Sequence, residues 1–304
     1  MGLSVSSHCK TTQQIGRRHL LSSFGAKLEL AFAKYGQLCV GIDPHESLLA
    51  SWGLTDNVDG LRSFAFKSLE SATGRVGIIK PQVSFFERHG AKGFAVLEEL
   101  AKAAAQTDLV VIMDAKRGDI GTTMAAYGDA WIGDNAPFTC DALTVSPYLG
   151  FDSLLGVIEQ CNQVGTGLFV LAATSNPEGA ELQRAQIAGE SISAQIWRKL
   201  QEVNDASSSG QRIGSFGAVV GATLDLNSIG LEKLLEGQKV SATPILAPGF
   251  GAQGAQLADT RKLFGSAAEQ VIHSVSRSVL AAGSTEMPSL IERSTLELAE
   301  ALNV

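Results

Sequence analysis

The sequence predicts an α/β protein, a (β/α)8 barrel of the TIM type with extra helices at its N-terminal and C-terminal ends. Three observations carry this expectation. Eight short, nearly unbroken apolar runs are spread along the chain, the pattern of parallel strands covered on both faces. Stretches with apolar residues at helical spacing separate them. Several runs end in an acid, a lysine or a hydroxyl, and a parallel barrel gathers its strand ends at one mouth. A doubly wound open sheet is the competing arrangement.

Residues 1–10 are polar and lack the apolar centre of a secretory signal, so they read as a loose flexible tail. The barrel domain is expected to take in 11–304. From Thr11 to Tyr35, Ile15, Leu20, Leu21, Phe24, Leu28, Leu30 and Phe32 predict one or two helices over the base or side of the fold. The first strand, 37–44, ends in Asp43-Pro44, and a helix follows over Val58–Ala72. The second strand, 76–81, ends at Lys80, with a helix over Phe85–Ala105. The third begins at Val110 and breaks into acid, base, base and acid at Asp114, Lys116, Arg117 and Asp119. Residues two apart share a face of an extended chain, so Asp114 and Lys116 point the same way. Gly118 opens a turn, and the hydroxyl of Thr122 or Thr123 is a candidate cap for a helix through Tyr127 and Trp131.

The fourth strand, 141–147, precedes a helix near Ser153–Gln160. The fifth, 167–174, precedes one over Gly189–Val203. Asp205–Gly210 is low in complexity and reads as a mobile surface loop. Strands six (216–223), seven (244–249) and eight (270–277) follow, and Pro288–Leu302 closes the chain as an amphipathic helix.

Hydrophobic residues make up 45% of the chain and charged residues 18%, a composition for a large covered core and against disorder. With 24 basic and 31 acidic residues the net charge is −7. No basic block stands out, so neither nucleic acid nor an anionic membrane is an expected partner. An anionic small ligand remains compatible, because local geometry can outweigh global charge. No apolar run is long enough for a membrane span. Cys9, Cys39, Cys140 and Cys161 show no metal-binding spacing and read as reduced thiols of a cytoplasmic protein. No metal or cofactor is expected. The one G-x-G-x-x-G match, Gly249–Gly254, follows the seventh strand rather than the first, which is weak support for a dinucleotide.

The polar strand ends are Asp43, Lys80, Asp114, Lys116, Ser146, Thr174, Ser175 and Arg277. At one mouth they form an alternating charge array in a partly desolvated place, where Coulomb terms strengthen. The plain alternative is a lattice of ion pairs that only closes the barrel top. The glycine-rich segment Pro248–Gly254 lies between strand seven and a helix, and Arg277 ends strand eight. Glycines let backbone N–H groups approach a phosphate, and barrels often bind phosphate there. A simple flexible turn is the alternative.

Asp-x-Lys-x-x-Asp at the third strand, a second-strand lysine and a seventh-strand glycine loop resemble the orotidine 5′-phosphate decarboxylases. Asp114–Thr123, reading Asp-Ala-Lys-Arg-Gly-Asp-Ile-Gly-Thr-Thr, is similar to the bacterial-type second group, type 2. Further matches are Val40–Pro44, Ile79–Gln82, Thr174–Pro177, Ala247–Gly249 and Ser276–Ser278. The resemblance implies a carboxy-lyase that decarboxylates orotidine 5′-phosphate to uridine 5′-phosphate and carbon dioxide without a cofactor, in de novo pyrimidine biosynthesis. It implies that Lys116 protonates the ring carbon, that Asp114 sits beside the substrate carboxylate, and that Lys80 and Asp43 meet the ribose. Ser175 would meet the pyrimidine. Pro248, Gln253, Arg277 and the backbone near Ser276 would face the phosphate end. The resemblance also implies a homodimer in which Asp119 and Thr123 reach the neighbouring subunit's site. The segment after Pro248 is the candidate lid, with the Thr174–Ser191 loop as its partner. Asn176 stands where relatives often carry His, a departure expected to touch loop packing more than chemistry. Two alternatives stay open: a magnesium-dependent 3-keto-sugar-phosphate decarboxylase or aldol-type enzyme of the same superfamily, and a catalytically silent nucleotide-binding barrel.

Overall fold

The computed structural model describes residues 23–304 apart from 134, 208–209, 233–234 and 236–241. The expected tail 1–10, Cys9 and the part of the first predicted helix before Ser23 lie outside the described residues. Eight parallel strands close a barrel in the order β1-β8-β7-β6-β5-β4-β3-β2. They are β1 (Leu38–Ile42), β2 (Ile78–Pro81), β3 (Val110–Arg117), β4 (Ala142–Val145), β5 (Gly167–Ala173), β6 (Phe216–Val220), β7 (Ile245–Pro248) and β8 (Val271–Val275). Every strand read from the sequence is present. Because β1 pairs with both β2 and β8, the sheet is closed rather than open.

Side chains alternate along each strand. One parity faces the surrounding helices: Val40, Ile79, Val111, Leu143 and Val170 pack there with Leu61, Phe64, Leu97 and Trp197. The other faces the barrel interior, where Cys39, Ile78, Ile112, Ala142, Phe169, Val219, Leu246 and Ile272 form a second buried cluster. Helix α1 (Phe24–Tyr35) seals the base of that cluster with Phe24, Leu28 and Ala31. Ser23 caps α1 by accepting from the Ala26 N–H, and Phe24 meets Phe169 edge-on, centroids 5.8 Å apart. Gly25 permits close docking: a Cβ there would come within 2.1 Å of the Ile213 carbonyl oxygen.

Two residues further along the inward parity the chemistry changes. Ile78 is followed by Lys80, Ile112 by Asp114, Ala142 by Thr144 and Ile272 by Ser274. A polar layer therefore lies on the apolar one, toward the carboxyl ends of the strands.

Helix α2 (Val58–Ala72) has its predicted bounds, with Asn57 capping the Gly60 N–H. The Phe85–Ala105 helix is in fact two, a short Val83–Glu87 and α3 (Gly90–Ala104), separated where Gly90 takes φ +63°. Helix α4 (Gly121–Trp131) starts with Ile120 at its cap. Thr122 and Thr123 thus lie inside the first turn, and no hydroxyl caps it. Helix α5 (Leu155–Val164) follows a 3-10 turn at Phe151–Leu154. Gly189, at φ +83°, turns a two-stranded ribbon of Gln186–Ile187 with Glu190–Ser191, so the next long helix begins later than predicted. After the short α6 (Ala180–Arg184), α7 (Ile192–Ser207) runs on through Asp205, Ala206 and Ser207. The composition of those three suggested a loop, but the buried Trp197, Leu200 and Asn204 dock the helix and carry it past them. Helix α8 (Gly283–Leu302) begins before Pro288 and holds that proline inside, packed by the flanking buried Met287 and Ile291. Among the described residues no helix is long and apolar enough to cross a membrane. Cys39, Cys140 and Cys161 are buried free thiols.

Candidate active site

The site begins with a slip in strand register. Strand β3 pairs with β4 at Ile112–Ala142 and Met113–Leu143, but the next pair is Arg117–Val145. Asp114, Ala115 and Lys116 thus stand opposite the single residue Thr144, as in a β-bulge. Lys116 takes φ +48° there, a region costly for a residue with a side chain.

The bulge aims two side chains of β3 at one point. Lys116 Nζ lies 2.6 Å from Asp114 Oδ1, and Lys80 Nζ of β2 lies 2.9 Å from Asp114 Oδ2. The shared face expected of Asp114 and Lys116 is present, and one carboxylate serves two ammoniums. Side-chain exposure is 8% for Lys80 and 11% for Asp114 but 45% for Lys116, so the array runs from the interior out to the mouth. Burial alone would push the Asp114 carboxyl up; the charges and hydrogen bonds of Lys80 and Lys116 outweigh it and hold it well below the usual range. Burial likewise pulls Lys80 down, and the charges of Asp114 and Asp43 more than reverse that. The Cys39 thiol beneath is pushed up to about 12 by burial, so it stays neutral.

Asp43 emerges just beyond β1. Its Oδ2 accepts from the Ser276 hydroxyl at the end of β8. Its buried Oδ1 has no hydrogen-bond partner among the described residues, leaving an acceptor for a ligand hydroxyl.

After β7, Gly249 and Gly251 take φ +117° and +75°, conformations glycine reaches without strain. A Cβ on Gly251 would come within 2.7 Å of Ser278, so this loop lies against the short helix Arg277–Leu280 that follows β8. Phe250 is buried and packs on the His273 ring at 5.0 Å. His273 meets the Thr260 hydroxyl at 2.6 Å, and burial pushes it down to about 3, keeping the ring neutral. Pro248, Gln253 and Arg277 stand around this loop, the last two exposed.

After β5, Ser175 is exposed, and its neighbour Thr174 is clamped. The Thr174 N–H donates to Gln183 Oε1 at 2.9 Å, and Gln183 Nε2 donates to the Thr174 hydroxyl at 2.7 Å. Asn176 joins the loop's own network, accepting from Thr174 and donating to Glu178. Asp119 accepts from the Ile120 N–H at 2.8 Å instead of joining the lysine array, and Thr123 is exposed on α4.

Asp43, Lys80, Asp114, Lys116 and Ser276 are therefore drawn together at the strand ends; Pro248 ends β7, Arg277 starts the short helix after β8, and Ser175 and Gln253 lie on the loops after β5 and β7. Asp119 and Thr123 lie to one side. Sequence reasoning missed Thr144 and Gln183. Parity would have found the first: Thr144 is two residues beyond the inward Ala142, on the strand beside Asp114. Nothing in the sequence marks Gln183, whose role depends on how the β5 loop folds back. Among the described residues no cluster of His, Cys, Asp or Glu is placed to hold a metal ion.

The model of the orotidine 5′-phosphate decarboxylase / HUMPS family matches residues 36–287. An orotidine 5′-phosphate decarboxylase of Streptomyces coelicolor is 47% identical over 286 residues, covering 93% of this chain and 99% of its own. One of Corynebacterium glutamicum strain R is 47% identical over 266 residues, covering 86% and 91%. A solved protein of Streptomyces avermitilis superimposes with TM-score 0.86 at 46% identity, covering 93% of this chain and 97% of that one. The OMP decarboxylase of Leishmania donovani matches with TM-score 0.69 at 26% identity, covering 92% and 97%. The chain belongs to the orotidine 5′-phosphate decarboxylase / HUMPS family.

Proposed function

We propose that this chain decarboxylates orotidine 5′-phosphate to uridine 5′-phosphate without a cofactor, as a carboxy-lyase of pyrimidine biosynthesis. The observation that carries the reading is the Lys80–Asp114–Lys116 array, one buried carboxylate between two ammoniums at the mouth. When the carboxyl-bearing bond breaks, its electron pair stays on a ring carbon. The Lys116 ammonium stabilises that charge and donates a proton to the carbon, and the amine is reprotonated from solvent. Asp114, kept ionised, fixes both lysines and faces the substrate carboxylate. Lys80 and the open acceptor of Asp43 take ribose hydroxyls. Ser175 meets the pyrimidine. Gln253, Arg277 and backbone N–H groups near Ser276 hold the phosphate, with Pro248 beside them, and phosphate binding supports the chemistry from a distance. Closure of the Gly249–Gly254 segment against the Thr174–Ser191 loop would exclude water.

The working unit is a two-fold dimer in which Asp119 and Thr123 complete the neighbouring site. Ile120, Tyr148, Leu149 and Leu155 support this. They are 60%, 77%, 53% and 46% exposed on segments after β3 and β4, apolar surface of the kind that marks association. The buried thiols support a reducing, cytoplasmic setting. The deciding measurement is the ultraviolet change on orotidine 5′-phosphate loss, with and without EDTA. Turnover indifferent to EDTA supports the reading, and loss of turnover with EDTA favours the magnesium-dependent sugar-phosphate chemistry instead.

A further inference from the structure

We propose that Thr144 is a positioning residue for the proton-donating lysine, an inference that rests on the role given to Lys116 above. Its hydroxyl stands where the bulge of β3 faces β4. It accepts a hydrogen bond from the Lys116 backbone N–H at 2.9 Å and donates one to Asp114 Oδ1 at 3.0 Å. The same Asp114 oxygen pairs with Lys116 Nζ at 2.6 Å. The three contacts close a ring that ties the lysine's backbone to its own ammonium through one hydroxyl and one carboxylate.

The ring answers two needs. Lys116 sits at φ +48°, and such a conformation persists only where neighbours fix it. The N–H to Thr144 bond is such a tie. Two cations compete for Asp114, and the Thr144 hydroxyl, the third donor to this carboxylate, orients it toward both. Thr144 itself is 1% exposed and lies below the ammonium, so it acts on substrate only through Lys116 and Asp114. A valine of the same shape would keep the packing and delete both bonds.

Steady-state kinetics of T144V, T144A and T144S, with K116A alongside, test this. For T144V and T144A, kcat should fall about 10- to 100-fold, the usual weight of a hydrogen bond to a charged group. KM and uridine 5′-phosphate inhibition should move less than about two-fold, since the phosphate and ribose contacts are intact. T144S keeps the hydroxyl and should recover most of kcat. Wild-type kcat in T144V or T144A, or a kcat deficit that serine does not rescue, overturns the proposal. Near-normal turnover in K116A would instead overturn the reading beneath it, whatever the Thr144 variants do.

Discussion

In the proposed reaction Lys116 would owe its effect to where its charge is held more than to its chemistry as an amine. K116A should abolish nearly all turnover while a uridine 5′-phosphate analogue still binds, measurable by calorimetry. R277A should do the reverse, raising KM and weakening phosphate-containing ligands while bare nucleosides bind as before. The carboxylate between the lysines links the site to stability. Because its folded-state pKa is depressed below the ordinary 3.8, Asp114 contributes stability fully present above that value and lost as pH falls through the lower folded one. Lys80 is raised above the ordinary 10.5, so its contribution is full below that value and lost only as pH rises past the higher one. Between these limits the pair adds no pH dependence. D114N should cost about 3 kcal/mol or more at neutral pH, since two ammoniums lose their partner, and should flatten the acid limb of urea-denaturation stability.

Strands and helices divide the work of support and sealing. Helix α1 closes the barrel base through Phe24, fully buried against Phe169. F24A should lower unfolding free energy by about 3–5 kcal/mol, read by thermal or urea unfolding, with kcat at low temperature little changed. The strands were legible because each is an apolar run bounded by turn signals, and the catalytic candidates because they end those runs. Thr144 was overlooked since it sits one place inside its run, where only the in-out alternation marks it. The bulge that opposes three residues of β3 to one of β4 is a product of pairing between strands, and neither strand's sequence announces it. Helix ends were misplaced where a glycine took positive φ, as at Gly90 and Gly189, or where docking carried a helix past weak formers, as at Asp205–Ser207.

The proposed dimer would bury an interface reached through Ile120 and its exposed apolar neighbours. I120D should shift sedimentation toward a monomer and cut turnover in parallel. A sharper check mixes two inactive variants, K116A and D119A. If each site takes Lys116 from one subunit and Asp119 from the other, half of each hybrid dimer is intact, and random mixing restores roughly a quarter of the activity. The plug at the base has a consequence for traffic. Phe24, Leu28 and Phe169 are fully buried at that end, so among the described residues the strand-end mouth is the route the proposed reaction offers to gas and nucleotide alike. In the proposed reaction a flap that latched over the phosphate would also detain the carbon dioxide, and the freed gas would leave by the mouth that admits the nucleotide.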